Sequence, residues 1–123
     1  MLQLSRYLAL LFAIGLGVGE AVINWGHWQY APLWIVDYVI VAWLAYGFFV
    51  TRQRRGVHVL LAGWAFTGGV FYMAFFVSLD PAMAIDANSV MLALIGGMLA
   101  AACVGFCCAL LSLRDASTPR GAD

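Results

Sequence analysis

Apolar residues fill four long blocks of the chain, about Tyr7–Ile23, Leu33–Val50, Val57–Leu79 and Val90–Leu113. Short stretches separate them, where polar residues, glycine and proline collect. Each block is 17 to 24 residues long, against roughly 20 for a helix that crosses about 30 Å of hydrocarbon. None alternates apolar and polar positions as a barrel strand does, so helices are left as the way to satisfy the backbone in lipid. The pattern predicts an all-α fold, an integral membrane four-transmembrane-helix bundle, with helices over about 7–25, 33–51, 57–79 and 88–113. Residues 1–114 are expected to form one domain and 115–123 a short flexible tail. Short connections make sequence neighbours antiparallel, and Pro32 suits the first turn of the second helix. Arg6 ahead of the first block, with small residues after it, also fits a secretory leader; the block is read as a retained helix.

Composition strengthens this reading. The chain is 65% hydrophobic and 10% charged, and its six basic residues are all Arg. A soluble domain is about 45–50% apolar and about 25% charged. A formal net charge of zero gives no electrostatic footprint for nucleic acid. The Arg residues also set an orientation. Arg6 precedes the first helix, Arg52, Arg54 and Arg55 lie between the second and third, and Arg114 and Arg120 follow the fourth. The other two connections carry only the acids Asp80 and Asp86. By the positive-inside rule both termini face the cytoplasm, and the expected location is a bacterial-type cytoplasmic membrane.

Small residues mark packing faces. Ala93, Gly97, Ala101, Gly105 and Ala109 recur at every fourth position of the last helix. That spacing holds one face in line, and small side chains let another backbone come close. The partner is open at this level: a helix of the same chain, a second copy, or another membrane protein. In the first helix Ala9, Ala13 and Gly17 share a face that Glu20 continues, with Asn24 and His27 further along, and Gly15 and Gly19 form a second small pair. Gly68–Gly69 would admit a close neighbour or a kink in the third helix.

Glu20 and Asp37 lie on either side of the first connection. Each is expected about five residues, or roughly 7–8 Å, below the outer boundary. Side chains lean toward their own helix N-terminus, so Glu20 points deeper and Asp37 outward, with Tyr38, Asn24 or water between them. An ionisable group in a membrane helix costs about 2.5–3.5 kcal/mol at the bilayer centre and less toward the interface. Two readings follow. Either Glu20 bonds Asn24 or Tyr38 and pins the first two helices, while Asp37 favours a helix start; or Glu20, Asp37, Asn24, Tyr38 and His27 form a proton, cation or cationic-solute site. Trp25, Trp28, Tyr30 and Trp34 cluster at the same boundary, as an interfacial belt or as an aromatic ligand cage.

Other chemistry is sparse. Cys103, Cys107 and Cys108 lie in one apolar helix without a C-x-x-C spacing, and they read as packing residues. No catalytic residue, metal site or cofactor is expected. No nucleophile–base set is visible, and His27 and His58 fall near opposite faces. Thr67, Tyr72 and Ser78 add polar atoms to the third helix without a specific pattern.

In length, helix number and an acid in the first helix the chain resembles the small multidrug resistance carriers, which work as antiparallel dimers. It departs from them in its one-sided Arg bias and in "GWAFTGGVFY" (Gly63–Tyr72), which lacks their Trp-x-Gly-x-Gly pattern. No residue role is carried over. The functional expectation is a small non-enzymatic membrane component, partnered with lipid and with a second copy or a larger membrane protein through the last helix. The alternative is a homo-oligomeric carrier or channel for protons, cations or cationic solutes using Glu20 and Asp37.

Overall fold

The computed structural model describes residues 1–26, 31–53, 56–80 and 89–117. Four α-helices account for nearly all of them: α1 (Leu2–Ile23), α2 (Ala31–Val50), α3 (Val57–Leu79) and α4 (Ser89–Ser117). A short 3-10 turn, Thr51–Gln53, follows α2. Three of the helices, α1, α3 and α4, are long and apolar enough to cross a membrane; the apolar part of α2, Trp34–Val50, is shorter. At 1.5 Å per residue the 20 residues of α2 still reach about 30 Å. The third helix has the expected bounds, the others differ by one or two residues at most ends, and two ends differ by more. Helix α1 begins at Leu2, which takes Arg6 into its second turn, and α4 runs on to Ser117, past the expected start of the tail.

Each helix packs on its neighbours in sequence, and α4 closes the ring against α1, while the backbones of α1 and α3 stay further apart and meet through side chains across the centre. Met1 and Leu2 share a cavity wall with Thr51, Arg52, Val57, Ser112 and Asp115. The chain therefore begins, turns from α2 to α3 and ends α4 at one end of the bundle, called here the terminal end. The α1–α2 connection lies at the opposite, distal end.

Glycine sets the approach of the helices. A Cβ on Gly47 would lie 3.0 Å from Leu60, and one on Gly63 would lie 3.1 Å from Trp43; these contacts join α2 to α3. At Gly105 the indole of Trp64 lies so close that a Cβ would fall 2.2 Å from it, which brings α4 against α3. Gly15, Gly19, Gly68 and Gly69 have nothing within 4 Å of a built Cβ, so neither pair makes the close contact its spacing suggested.

Trp64 is the hub of the core, fully buried. Phe12 meets it edge-on at 5.5 Å and meets Phe71 at 5.6 Å. Its indole N–H donates to Ser5 Oγ at 3.0 Å, and the Ser5 hydroxyl donates to the Gly105 carbonyl at 2.9 Å. One polar chain thus links α3, α1 and α4 within the buried core. Arg6 does similar work at the terminal end. Its Nε and Nη2 donate to the Phe48 carbonyl at 3.2 Å each, and its guanidinium lies 4.9 Å from the Phe48 ring centre.

Candidate functional site

The candidate site begins with how α1 ends. Asn24 closes the helix, its backbone N–H donating to the Glu20 carbonyl at 2.9 Å. The Asn24 side-chain amide then donates twice to the same residue, to the Glu20 carbonyl at 3.2 Å and to Glu20 Oε2. The spacing of four residues makes this possible, since i and i+4 lie one above the other on a helix. Gly26 turns the chain away with φ of 91°, a left-handed conformation that glycine adopts without a Cβ clash.

Helix α2 supplies the opposing wall. Trp34 and Tyr38 are four residues apart, about 40° around the helix, and their rings meet at 90° with centroids 5.9 Å apart. Between the two helices lies a cavity of about 540 Å³, lined by Glu20, Ala21, Asn24, Trp25, Gly26, Trp34 and Tyr38. That volume is within the range of small-molecule sites. No Arg, Lys or His is among the described residues that line it.

Three of the five polar residues proposed from the sequence, Glu20, Asn24 and Tyr38, therefore share one cavity. Asp37 is half-buried and close enough for the Glu20 charge to act on it. It lies on the flank of the α2 face that carries Trp34 and Tyr38, and it is not among the lining residues. His27 lies outside the described residues, as do Trp28 and Tyr30. Glu20 bonds Asn24, one of the two partners expected for it. Of the aromatic residues at this boundary, Trp25 and Trp34 face the cavity rather than only the surroundings.

The small-residue stripe of α4 divides in two. Gly105 and Ala109 are buried, Ala101 is half-buried, and Gly97 and Ala93 are exposed. No residue from Ser89 to Ala101 is buried, whereas Ala102, Gly105, Cys108 and Ala109 all are. In the open half, α3 meets α4 beside the stripe, where a Cβ on Gly96 would lie 3.1 Å from the Phe75 ring.

The packing roles of Ser5 and Arg6 were not among the expectations from the sequence. The available signal for Ser5 was Trp64, an indole well inside an apolar helix, whose N–H needs an acceptor. For Arg6 it was the end of α2, whose last carbonyls have no partner within the helix. Among the described residues, no group of three or more His, Cys, Asp or Glu is placed to hold a metal ion. No known protein family, no curated protein and no solved structure matches this chain.

Proposed function

We propose that the protein is a non-enzymatic, membrane-embedded component that binds a transmembrane helix of a larger membrane protein through the distal half of α4. In this reading α2 completes four crossings and the Arg-rich terminal end faces the cytoplasm. The carrying observation is the open half of the small-residue stripe: Ala93 and Gly97 are exposed, and nothing comes within 4 Å of a Cβ built on Gly97. Bare lipid gives no reason to align small residues, whereas a second helix does, because dispersion contacts in a membrane depend on close backbone approach.

The carrier reading takes second place for a physical reason. The cavity at Glu20 and the cavity at Thr51 lie at opposite ends of the bundle. Trp64, Phe12, Phe71, Ile40, Leu44 and Leu60 form an apolar core between them, which disfavours an aqueous path through the described residues of a single copy.

The test is native mass spectrometry after gentle extraction from the protein's own membrane, on the wild type and on Gly97→Leu. The expected result is a complex with a larger membrane protein that Gly97→Leu loses while its thermal unfolding stays as in the wild type. A monomer throughout, or a complex indifferent to Gly97→Leu, overturns the reading. A homodimer lost in Gly97→Leu assigns the face to a second copy instead.

A further inference from the structure

The cavity at the terminal end differs in chemistry from the distal one and plays no part in helix docking. It measures about 290 Å³ and lies where the start of α1, the turn after α2, the start of α3 and the last turns of α4 meet. Arg52 and Asp115 bring charge to its wall, and Gln3, Thr51 and Ser112 add polar atoms. Local structure sets Arg52 in place. The buried Thr51 hydroxyl donates to the Gly47 carbonyl, which fastens the 3-10 turn to the end of α2 and brings the next residue to the cavity.

Donors outnumber acceptors at this end. Carbonyls here find donors within the chain: Arg6 serves Phe48, Thr51 serves Gly47, and the Ser112 hydroxyl serves Ala109 at 2.7 Å. The helix starts do not find acceptors in the same way. Both α1 and α3 begin on the cavity wall, at Leu2 and at Val57. Neither has a side-chain cap or an acid in its first turn. Two positive helix ends and one guanidinium thus converge on one cavity. Asp115, the acid on its wall, is exposed and caps neither helix.

We infer that this cavity binds the phosphate group of an anionic phospholipid. Arg52 would take phosphate oxygens through its planar fork, and the first N–H groups of α1 and α3 would hold others, as helix starts hold anions generally. The lipid source rests on the membrane-embedded reading of the proposed function, but not on the α4 face or on which leaflet the terminal end meets. Helices long enough to cross a membrane bring their ends to headgroup level, and basic pockets between spans bind such headgroups. Size agrees: about 290 Å³ is at the lower limit of small-molecule sites, roughly 300 Å³, and takes a headgroup alone. The acyl chains would lie outside, along the exposed Leu4, Leu11 and Val18, which are spaced by seven on one face of α1.

The experiment is native mass spectrometry of the full chain in dodecyl maltoside micelles, titrated with dioleoyl-phosphatidylglycerol or dioleoyl-phosphatidylcholine. The two lipids share their chains and differ in headgroup charge. One phosphatidylglycerol per chain is expected at concentrations where phosphatidylcholine is not retained. Arg52→Gln should weaken it by roughly tenfold or more. Asp115→Asn removes a like charge and should tighten it by about 1.5- to 5-fold. Ser112→Leu fills the cavity with every charge kept, and should abolish retention of that one lipid. Equal retention of the two lipids would overturn the inference, as would binding unchanged by Arg52→Gln or weakened by Asp115→Asn. Binding indifferent to Ser112→Leu would overturn it too, by showing diffuse attraction to the Arg-rich end. Displacement of the lipid by equimolar glycerol 3-phosphate would overturn the lipid source and give the site to a soluble phosphoester. A chain that stays in solution without detergent would overturn the membrane reading itself, whereas Gly97→Leu reports on the α4 face alone. The two lipids on the wild type need no variant, and Asp115 is exposed, so a Ser112→Leu chain that fails to fold leaves the test standing.

Discussion

Gly105 is where one hydrogen atom in place of a methyl group decides the packing. Its Cα lies against the Trp64 indole, and an added Cβ would meet indole ring atoms at 2.2–2.6 Å. Trp64 has no room to yield, since it is fully buried, wedged by Phe12 and tied through its N–H to Ser5. Gly105→Ala should therefore lose about 1–3 kcal/mol to overpacking, read as a lowered thermal unfolding midpoint in micelles. Gly97→Ala, in the same stripe, should keep or slightly raise that midpoint, because nothing lies within 4 Å of its Cβ position and alanine favours the helix over glycine. Equal effects at the two positions would mean that Gly97 also packs within the chain. The stripe itself was legible as a repeat of small residues; its division was not. Which half meets Trp64 depends on the depth at which α3 and α4 cross, and one-dimensional spacing carries no depth. For the same reason the Ser5–Gly105 bond, which joins residues 100 positions apart, could not be read from the chain.

At the scale of elements, the helix ends carry the information that hydropathy missed. An apolar-run reading starts the first helix at Tyr7, because an Arg looks like a loop residue. The structure starts it at Leu2 and buries Arg6 to 8% exposure. The reason lies on the next helix. The Phe48 carbonyl is among the last four of α2, which have no acceptor role within the helix, and a cation there also suits the negative end of the helix dipole. Arg6 donates to it through two nitrogens and donates to Gln3 Oε1 at 2.8 Å with a third. Arg6→Ala is expected to cost about 1.5–3 kcal/mol, measured by thermal unfolding. Arg6→Lys should recover only part of it, since an ammonium lacks the planar fork. Full recovery by Lys would reduce the contact to its charge. At the distal end the reverse holds: the i, i+4 relation of Glu20 to Asn24 and of Trp34 to Tyr38 was readable from helical spacing. Their convergence on one cavity followed from α1 and α2 being short-linked neighbours. Asp37 ended on the flank because it is one residue away from Tyr38, and one residue rotates a helix by about 100°.

For the whole molecule, the ring of four antiparallel helices collects the chain's described Arg residues at one end. Arg6 lies in the second turn of α1, Arg52 follows α2 and Arg114 lies in the last turn of α4. The sequence adds Arg54, Arg55 and Arg120 to the same connections. The distal connections carry no Lys or Arg and include the acids Asp80 and Asp86. On the proposed orientation, an insertion machinery that retains basic loops in the cytoplasm would act on this asymmetry before any packing occurs. A fluorescent protein fused after Asp123 should therefore fold and emit in a bacterial host, while alkaline phosphatase fused there should be inactive. The same phosphatase fused after Asp80, at the distal end, should be active. Replacing Arg52, Arg54 and Arg55 with Gln and placing three Lys around Asp86 should move part of the population to the opposite orientation, seen as phosphatase activity at the C-terminus. If the activities stay as in the unaltered chain, orientation is held by something other than the Arg asymmetry. The buried Arg6, already fixed to the end of α2, is then the first residue to test, because it ties two crossings at the terminal end into one unit.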